Sequence, residues 1–83
     1  MDALDGNAMA GELLALFGAE LTTASATCAG CGARAPIAEL SVYTPAIGTV
    51  ARCGSCEAVV MVLVAVRDAT RVDLRGIAAL DVT

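Results

Sequence analysis

Four cysteines carry the clearest chemical signal in this 83-residue sequence. They form two C-x2-C pairs, Cys28 with Cys31 and Cys53 with Cys56, and twenty-one residues separate the pairs. Two intervening residues allow a tight turn to direct both sulfurs at one point while backbone amides donate hydrogen bonds to them. A gap of about twenty residues suits two strands that return the second turn beside the first, and four thiolates at about 2.3 Å complete the tetrahedral coordination of Zn2+. We therefore predict one structural zinc ion per chain, bound by these four cysteines.

The same cysteines allow three other interpretations. Disulfides need an oxidising compartment, which nothing else in the sequence indicates. A thioredoxin-like dithiol needs a helix that begins at its C-x2-C, whereas Gly32 and Pro36 follow the first pair and a β-rich stretch follows the second. Iron fits the same cage and would make the protein a rubredoxin-like electron carrier; we favour zinc, although ligand type alone does not distinguish the two metals. Gly32 suits the backbone after the first pair, while Glu57 takes the corresponding place after the second, so we expect the two turns to differ.

The sequence contains no histidine and no lysine. Ser-His-Asp and Cys-His catalysis, histidine-containing zinc sites and catalytic or phosphate-binding lysines are therefore excluded. A zinc site closed by four cysteines also leaves no coordination position for water or substrate. We expect a protein that is not an enzyme and has no catalytic residues.

Nine acidic residues against five arginines give the chain a net charge of −4. The excess acids lie near the N-terminus, at Asp2, Asp5, Glu12 and Glu20. Affinity for DNA or RNA comes mainly from neutralising phosphates, so this balance disfavours nucleic acid as a partner. A weak nucleic-acid-binding module remains a second alternative, built on the arginines. These are Arg34, Arg52, Arg67, Arg71 and Arg75.

Apolar residues make up 58% of the chain and aromatic residues only 2%. This composition excludes intrinsic disorder, and the length predicts a single domain over residues 1–83. The longest apolar run, Ala58 to Val66, is far shorter than the roughly twenty residues that span a membrane. The acidic N-terminus also lacks the basic segment of a secretory signal. We therefore expect a cytoplasmic protein that does not bind membranes.

An amphipathic helix is predicted over residues 7–18. Asn7 is suited to cap its first turn and Gly18 to end it. Gly11 costs about 1 kcal/mol relative to alanine inside a helix, which predicts a close backbone contact at that position. Four apolar residues recur at helical spacing and should share the face toward the core. They are Met9, Leu13, Leu16 and Phe17.

The rest of the chain, residues 22–83, is predicted to be a β region. Alternation and threonine content indicate strands. We expect short strands at Glu20 to Thr27, Ile37 to Tyr43 and Thr49 to Arg52, and a hairpin of Glu57 to Val66 with Thr70 to Arg75. In the second of these strands Ala38, Leu40 and Val42 should face the core. After Gly76 the chain should form another short strand or a loose tail.

The uninterrupted apolar run at Ala58 to Val66 predicts a strand that is covered on both faces. A turn centred on Asp68-Ala69 pairs Leu63 with Leu74. The core face then consists of Val59, Met61, Leu63 and Ala65, and the opposite valine face of Val60, Val62, Val64 and Val66. Either the remaining β region covers the valine face, or this face, bordered by Tyr43 and arginines, binds a protein partner or a second copy of the chain. The N-terminal helix is an alternative docking element.

At its two cysteine pairs the chain resembles the zinc-ribbon group of small bacterial proteins, over Thr27 to about Arg75. The ligand positions match one by one at Cys28, Cys31, Cys53 and Cys56. The resemblance implies a small α+β fold, a zinc ribbon with antiparallel β-hairpins on a four-cysteine zinc site and one N-terminal α-helix. Rubredoxins share the pairs, but they usually carry several core aromatics and a proline in each pair, which this chain lacks. The helix and the segment Arg71 to Gly76 resemble zinc-ribbon-like proteins of unknown function. We expect a structural-zinc-binding accessory protein that acts through protein–protein contact or self-association.

Overall fold

The computed structural model describes residues 3–45 and 48–82, which form one α-helix and two antiparallel sheets. The helix, α1, spans Ala10–Phe17. The strands are β1 (Leu4–Asp5), β2 (Ser25–Cys28), β3 (Arg34–Pro36), β4 (Ser41–Tyr43), β5 (Gly48–Arg52), β6 (Val59–Val66), β7 (Ala69–Asp73) and β8 (Ile77–Asp81). The larger sheet has the order β1-β4-β5-β6-β7 and the smaller one β3-β2-β8. The small α+β class with one helix is therefore confirmed.

The chain enters α1 through a 3-10 helix at Gly6–Met9. Asp5 caps this entry, because its Oδ1 accepts a hydrogen bond from the backbone N–H of Asn7 at 3.0 Å. The prediction that Asn7 is the cap is wrong, since the backbone is already helical there. Gly18 adopts the left-handed φ of +69° expected of a residue that ends a helix.

Only two of the four side chains predicted for the core face of the helix are buried. Met9 and Leu13 are fully buried, whereas Leu16 is 38% and Phe17 46% exposed. Both exposed side chains lie in the last turn of α1, so burial of the predicted face is confined to the beginning of the helix. The backbone contact predicted at Gly11 is also wrong, because outside its own stretch of helix no described atom lies within 4 Å of the place a Cβ would occupy.

The larger sheet packs one face against α1. The hydroxyl of Thr49 on β5 donates a hydrogen bond of 2.8 Å to Glu12 Oε1 and joins strand to helix. The core side chains on this covered face include Val42, Ala51, Met61 and Leu63.

The opposite face of the larger sheet is partly exposed. Tyr43, Val50 and Val62 lie side by side in direct register across β4, β5 and β6. Val64 is the next residue of β6 on the same side, and all four side chains are half-buried. We call these four residues the open face.

β6 departs from strict alternation at a β-bulge. Met61 pairs with Ala51 and Val59 with Arg52, so Val60 is an extra residue on β6. Val60 is only 2% exposed, while Val59 is 39% exposed. The predictions that Val59 faces the core and that Val60 belongs to the valine face are therefore wrong, because the bulge reverses the alternation at this end of the strand.

The hairpin of β6 and β7 has a two-residue turn that begins at Arg67, whose φ is +55°. Leu63 pairs with Val72 rather than with Leu74, so the predicted register is wrong by two residues. A shift of two keeps each side chain on its face, and Leu63 is buried as predicted. Ala65 is exposed, contrary to the prediction, because the end of the hairpin extends beyond the core.

The smaller sheet forms around β2. β8 pairs antiparallel with it, with Ala26 opposite Leu80, so the segment after Gly76 is a strand. β2 begins later than the predicted strand, because the Glu20 carboxylate accepts hydrogen bonds from the backbone N–H and the hydroxyl of Thr22. These bonds hold a local turn that competes with extension of the strand.

The predicted strand from Ile37 to Tyr43 is extended only in its second half. Ile37–Glu39 forms a 3-10 helix, and β4 follows it. Leu40 and Val42 are buried as predicted. Ala38 is only half-buried, contrary to the prediction, because the 3-10 helix turns Ile37 toward the core instead.

Candidate metal centre

Two tight turns bring the four cysteines together. Cys28 ends β2 and Cys31 lies in the turn after it, while Cys53 directly follows β5 and Cys56 lies in the next turn. All four sulfurs lie within 4.8 Å of one another. The Sγ atoms of Cys28 and Cys56 are 3.7 Å apart, as are those of Cys31 and Cys53. Because β2 and β5 belong to different sheets, the cluster joins the two sheets.

The two turns have the same backbone geometry. The N–H of Gly32 donates to the carbonyl of Cys28 at 2.9 Å, and the N–H of Glu57 donates to the carbonyl of Cys53 at 3.0 Å. Gly32 has a φ of +78° and Glu57 a φ of +63°. The prediction that the turns differ is therefore wrong for the backbone: Glu57 adopts the left-handed conformation that glycine takes in the first turn, although a Cβ makes it unfavourable.

Backbone amides point at the first sulfur of each turn. The N–H of Gly30 lies 3.3 Å from Cys28 Sγ, and the N–H of Ser55 lies 3.3 Å from Cys53 Sγ. Both of these cysteines are buried, whereas the second cysteine of each turn is exposed. Amide donors of this kind stabilise a thiolate where burial alone would disfavour it.

The contacts within the cluster separate the pKa values of its thiols. Backbone N–H groups, first that of Cys56, lower the pKa of Cys53 to about 6. The backbone N–H of Cys31 is the main cause that lowers the pKa of Cys28. The backbone N–H of Ala33 favours the thiolate of Cys31, but the neighbouring thiols and burial outweigh it and raise the pKa of Cys31 to about 12. A bound cation would displace the remaining protons, because metal ligands must be thiolates.

The dimensions of the cluster suit a tetrahedral metal site. Bonds of about 2.3 Å from a central zinc place the sulfurs roughly 3.8 Å apart, close to the two separations of 3.7 Å. A disulfide needs sulfurs about 2.05 Å apart, and all four cysteines are free. The four cysteines are therefore positioned to bind a metal ion, and their soft ligands suit zinc or iron.

The arginines lie on both sheets, Arg34 on β3, Arg52 on β5 and Arg71 on β7. Arg34 lies on the smaller sheet, 3.2 Å from Asp81, and Arg67 lies at the tip of the hairpin. Arg75 forms an ion pair with Asp73, with Nη2 and Oδ2 2.7 Å apart.

Two exposed apolar surfaces lie away from the cysteines. The open face contains Val62 and Val64 of the predicted valine face, and Val66 at its end is 47% exposed. Val50 also lies on this face, and the sequence analysis did not predict it. The signal was present, because the residues on either side of Val50 in β5 face the core. On α1, Leu14 is 52% exposed.

At eight residues α1 is too short to cross a bilayer, and no other helix within residues 3–45 and 48–82 has the length and apolar character to do so.

The sequence model of one protein family, a family of unknown function (DUF6510), matches residues 1–83. Comparison with curated proteins found no match, and comparison with solved structures found none.

Proposed function

The chain belongs to the DUF6510 family of unknown function, so we propose its role from its own residues. We propose that it is a zinc-ribbon protein with one structural zinc ion, which acts without catalysis through contact with another protein. The zinc assignment is supported by the cluster itself. Four free cysteines on two matching turns place their sulfur atoms within 4.8 Å of one another. Free thiols persist in a reducing compartment, so we place the protein in the cytoplasm.

A structural role follows from the ligand set. Four thiolates fill the tetrahedral shell and leave no position for water or substrate. Structural zinc contributes roughly 10–16 kcal/mol in small domains, about as much as the whole stability of a domain of this size. The protein gains most from such a contribution because its core contains few large side chains, the largest fully buried ones being Met9, Leu13, Ile37, Leu63 and Val42.

Metal analysis of protein purified from its native host tests the zinc assignment. We expect one zinc per chain and no visible absorption. Cys31→Ser should lose the metal and the native fold together, and the exposed Ser55→Ala, in the same region, should retain both. One iron per chain, with the colour of an iron–thiolate site, would establish the electron-carrier alternative instead.

Protein contact is proposed because the open face is apolar and partly exposed, and surfaces of this kind usually mark interaction sites. Val62→Lys should weaken binding of the partner while the fold survives, because this side chain points away from the core. Leu63→Lys is the matched control on the same strand, and it should unfold the protein because Leu63 is 1% exposed. If Val62→Lys unfolds the protein as severely, Val62 is interior and the contact proposal fails.

A further inference from the structure

β7 forms one end of the larger sheet among the described strands. Residues Ala69, Thr70 and Arg71 are exposed, and Val72 and Asp73 are half-buried. A strand at the end of a sheet presents a row of backbone N–H and C=O groups that can pair with another strand.

The hairpin turn determines which groups of β7 point outward. A two-residue turn closes with a hydrogen-bonded pair, which here is Val66 with Ala69. Hydrogen-bonded and non-hydrogen-bonded pairs then alternate along an antiparallel ladder. Arg71 and Asp73 therefore direct their backbone groups at β6, while Thr70 and Val72 direct theirs away from the sheet.

We propose that β7 pairs with β7 of a second copy of this chain, antiparallel and about a two-fold axis at Val72. This register makes Val72 a hydrogen-bonded pair with its symmetry mate. It also places Arg71 opposite Asp73 of the second copy, and Asp73 opposite Arg71 of that copy. The contact is self-complementary, as a two-fold interface must be.

The charges of Arg71 and Asp73 favour a second copy of this chain as the binding partner of β7. Arg71 and Asp73 fall in non-hydrogen-bonded pairs, where cross-strand side chains approach most closely. Within the described residues Arg71 forms no ion pair in its own chain. Three N–H groups of Arg75, one from the backbone and two from the guanidinium, donate to both carboxylate oxygens of Asp73. A carboxylate has about four acceptor sites, which leaves about one for a guanidinium of the second copy.

The pairing would also join the apolar surfaces of the two copies. Val62 faces Asp73 and Val64 faces Arg71 in the register of β6 and β7. A sheet continuous through β7 therefore places the open faces side by side on one surface. This proposal rests on the proposed role in protein contact and names its partner, but it does not depend on which metal the cysteines hold.

Charge reversal and rescue test the pairing. The molar mass of the full metal-loaded chain, measured by sedimentation over a range of concentrations, should show a dimer. Arg71→Asp should weaken dimerisation about tenfold or more, because it places two carboxylates opposite each other at two symmetric positions. The double variant R71D/D73R restores opposite charges and should recover the dimer. Arg67→Asp, the same charge change at the hairpin tip, should leave dimerisation unchanged.

Amide hydrogen exchange identifies the strand. The N–H of Val72 should become protected as the concentration rises, and Arg71→Asp should abolish that protection. A monomer at every concentration, or a dimer that Arg71→Asp leaves intact, would overturn the proposal. Metal content measured in the same samples separates the outcomes: a zinc-loaded monomer rejects this pairing while the zinc site stands.

Discussion

Replacement of Gly11 by alanine should stabilise the protein. A Cβ at this exposed position of α1 meets no described atom within 4 Å, so the added methyl group causes no clash. Glycine inside a helix costs about 0.5–1 kcal/mol relative to alanine. The free energy of unfolding of Gly11→Ala should rise by about that amount, which corresponds to roughly 2–8 °C in Tm for a domain of this size.

Gly6, five residues earlier in the chain, provides the matched control. A Cβ there would lie 1.7 Å from the carbonyl oxygen of Ile37, so Gly6→Ala should lower the stability. Both variants should be unfolded with denaturant at one fixed metal concentration, because bound metal adds to the measured stability. A Gly11→Ala protein no more stable than the parent would refute the reasoning that this side of α1 is free of close contacts.

Two further predictions concern the metal centre. Glu57→Gly should raise the free energy of unfolding by about 1 kcal/mol, because the left-handed backbone penalises a Cβ more than glycine costs in chain entropy; Gly32→Ala should lower it, and equal denaturation curves for both would contradict this. Metal affinity, measured by chelator competition, should fall at least tenfold per pH unit from pH 9 to 6, since the Cys31 thiol (pKa about 12) is protonated throughout this range and must lose its proton on binding. The fall should steepen below pH 6, where the Cys53 thiol (pKa about 6) is protonated as well; an affinity independent of pH would exclude this proton competition.

The local features of this fold could be predicted from the sequence. The cysteine spacing led to the cluster, and Gly18 marked the end of the helix. The hairpin of β6 and β7 was also predictable, because its two strands adjoin in sequence and their polar patterns differ. Even its wrong register kept Leu63 on the core face, since the error was an even number of residues.

Features that depend on competition between local and distant contacts could not be predicted. The uninterrupted apolar run of β6 gave no sign of the bulge that buries Val60. Asp5 and Asn7 are both good caps, and the choice between them depends on where the 3-10 helix begins. The division into two sheets depends on the pairing of β2 with β8, which involves residues far apart in the chain.

This distant pairing bears on the speed of folding as well as on the final structure. Cys28 faces Ile77, forty-nine positions further along the chain, and the entropy lost on loop closure grows by about 0.6 kcal/mol for each doubling of loop length. A metal that joined Cys28 to Cys53 first would leave only the twenty-four positions from Cys53 to Ile77 to close. The barrier to docking β8 would then fall by about 0.6 kcal/mol, a rate roughly threefold higher. A metal bound early would therefore act as a shortcut that brings the C-terminal strand into the sheet.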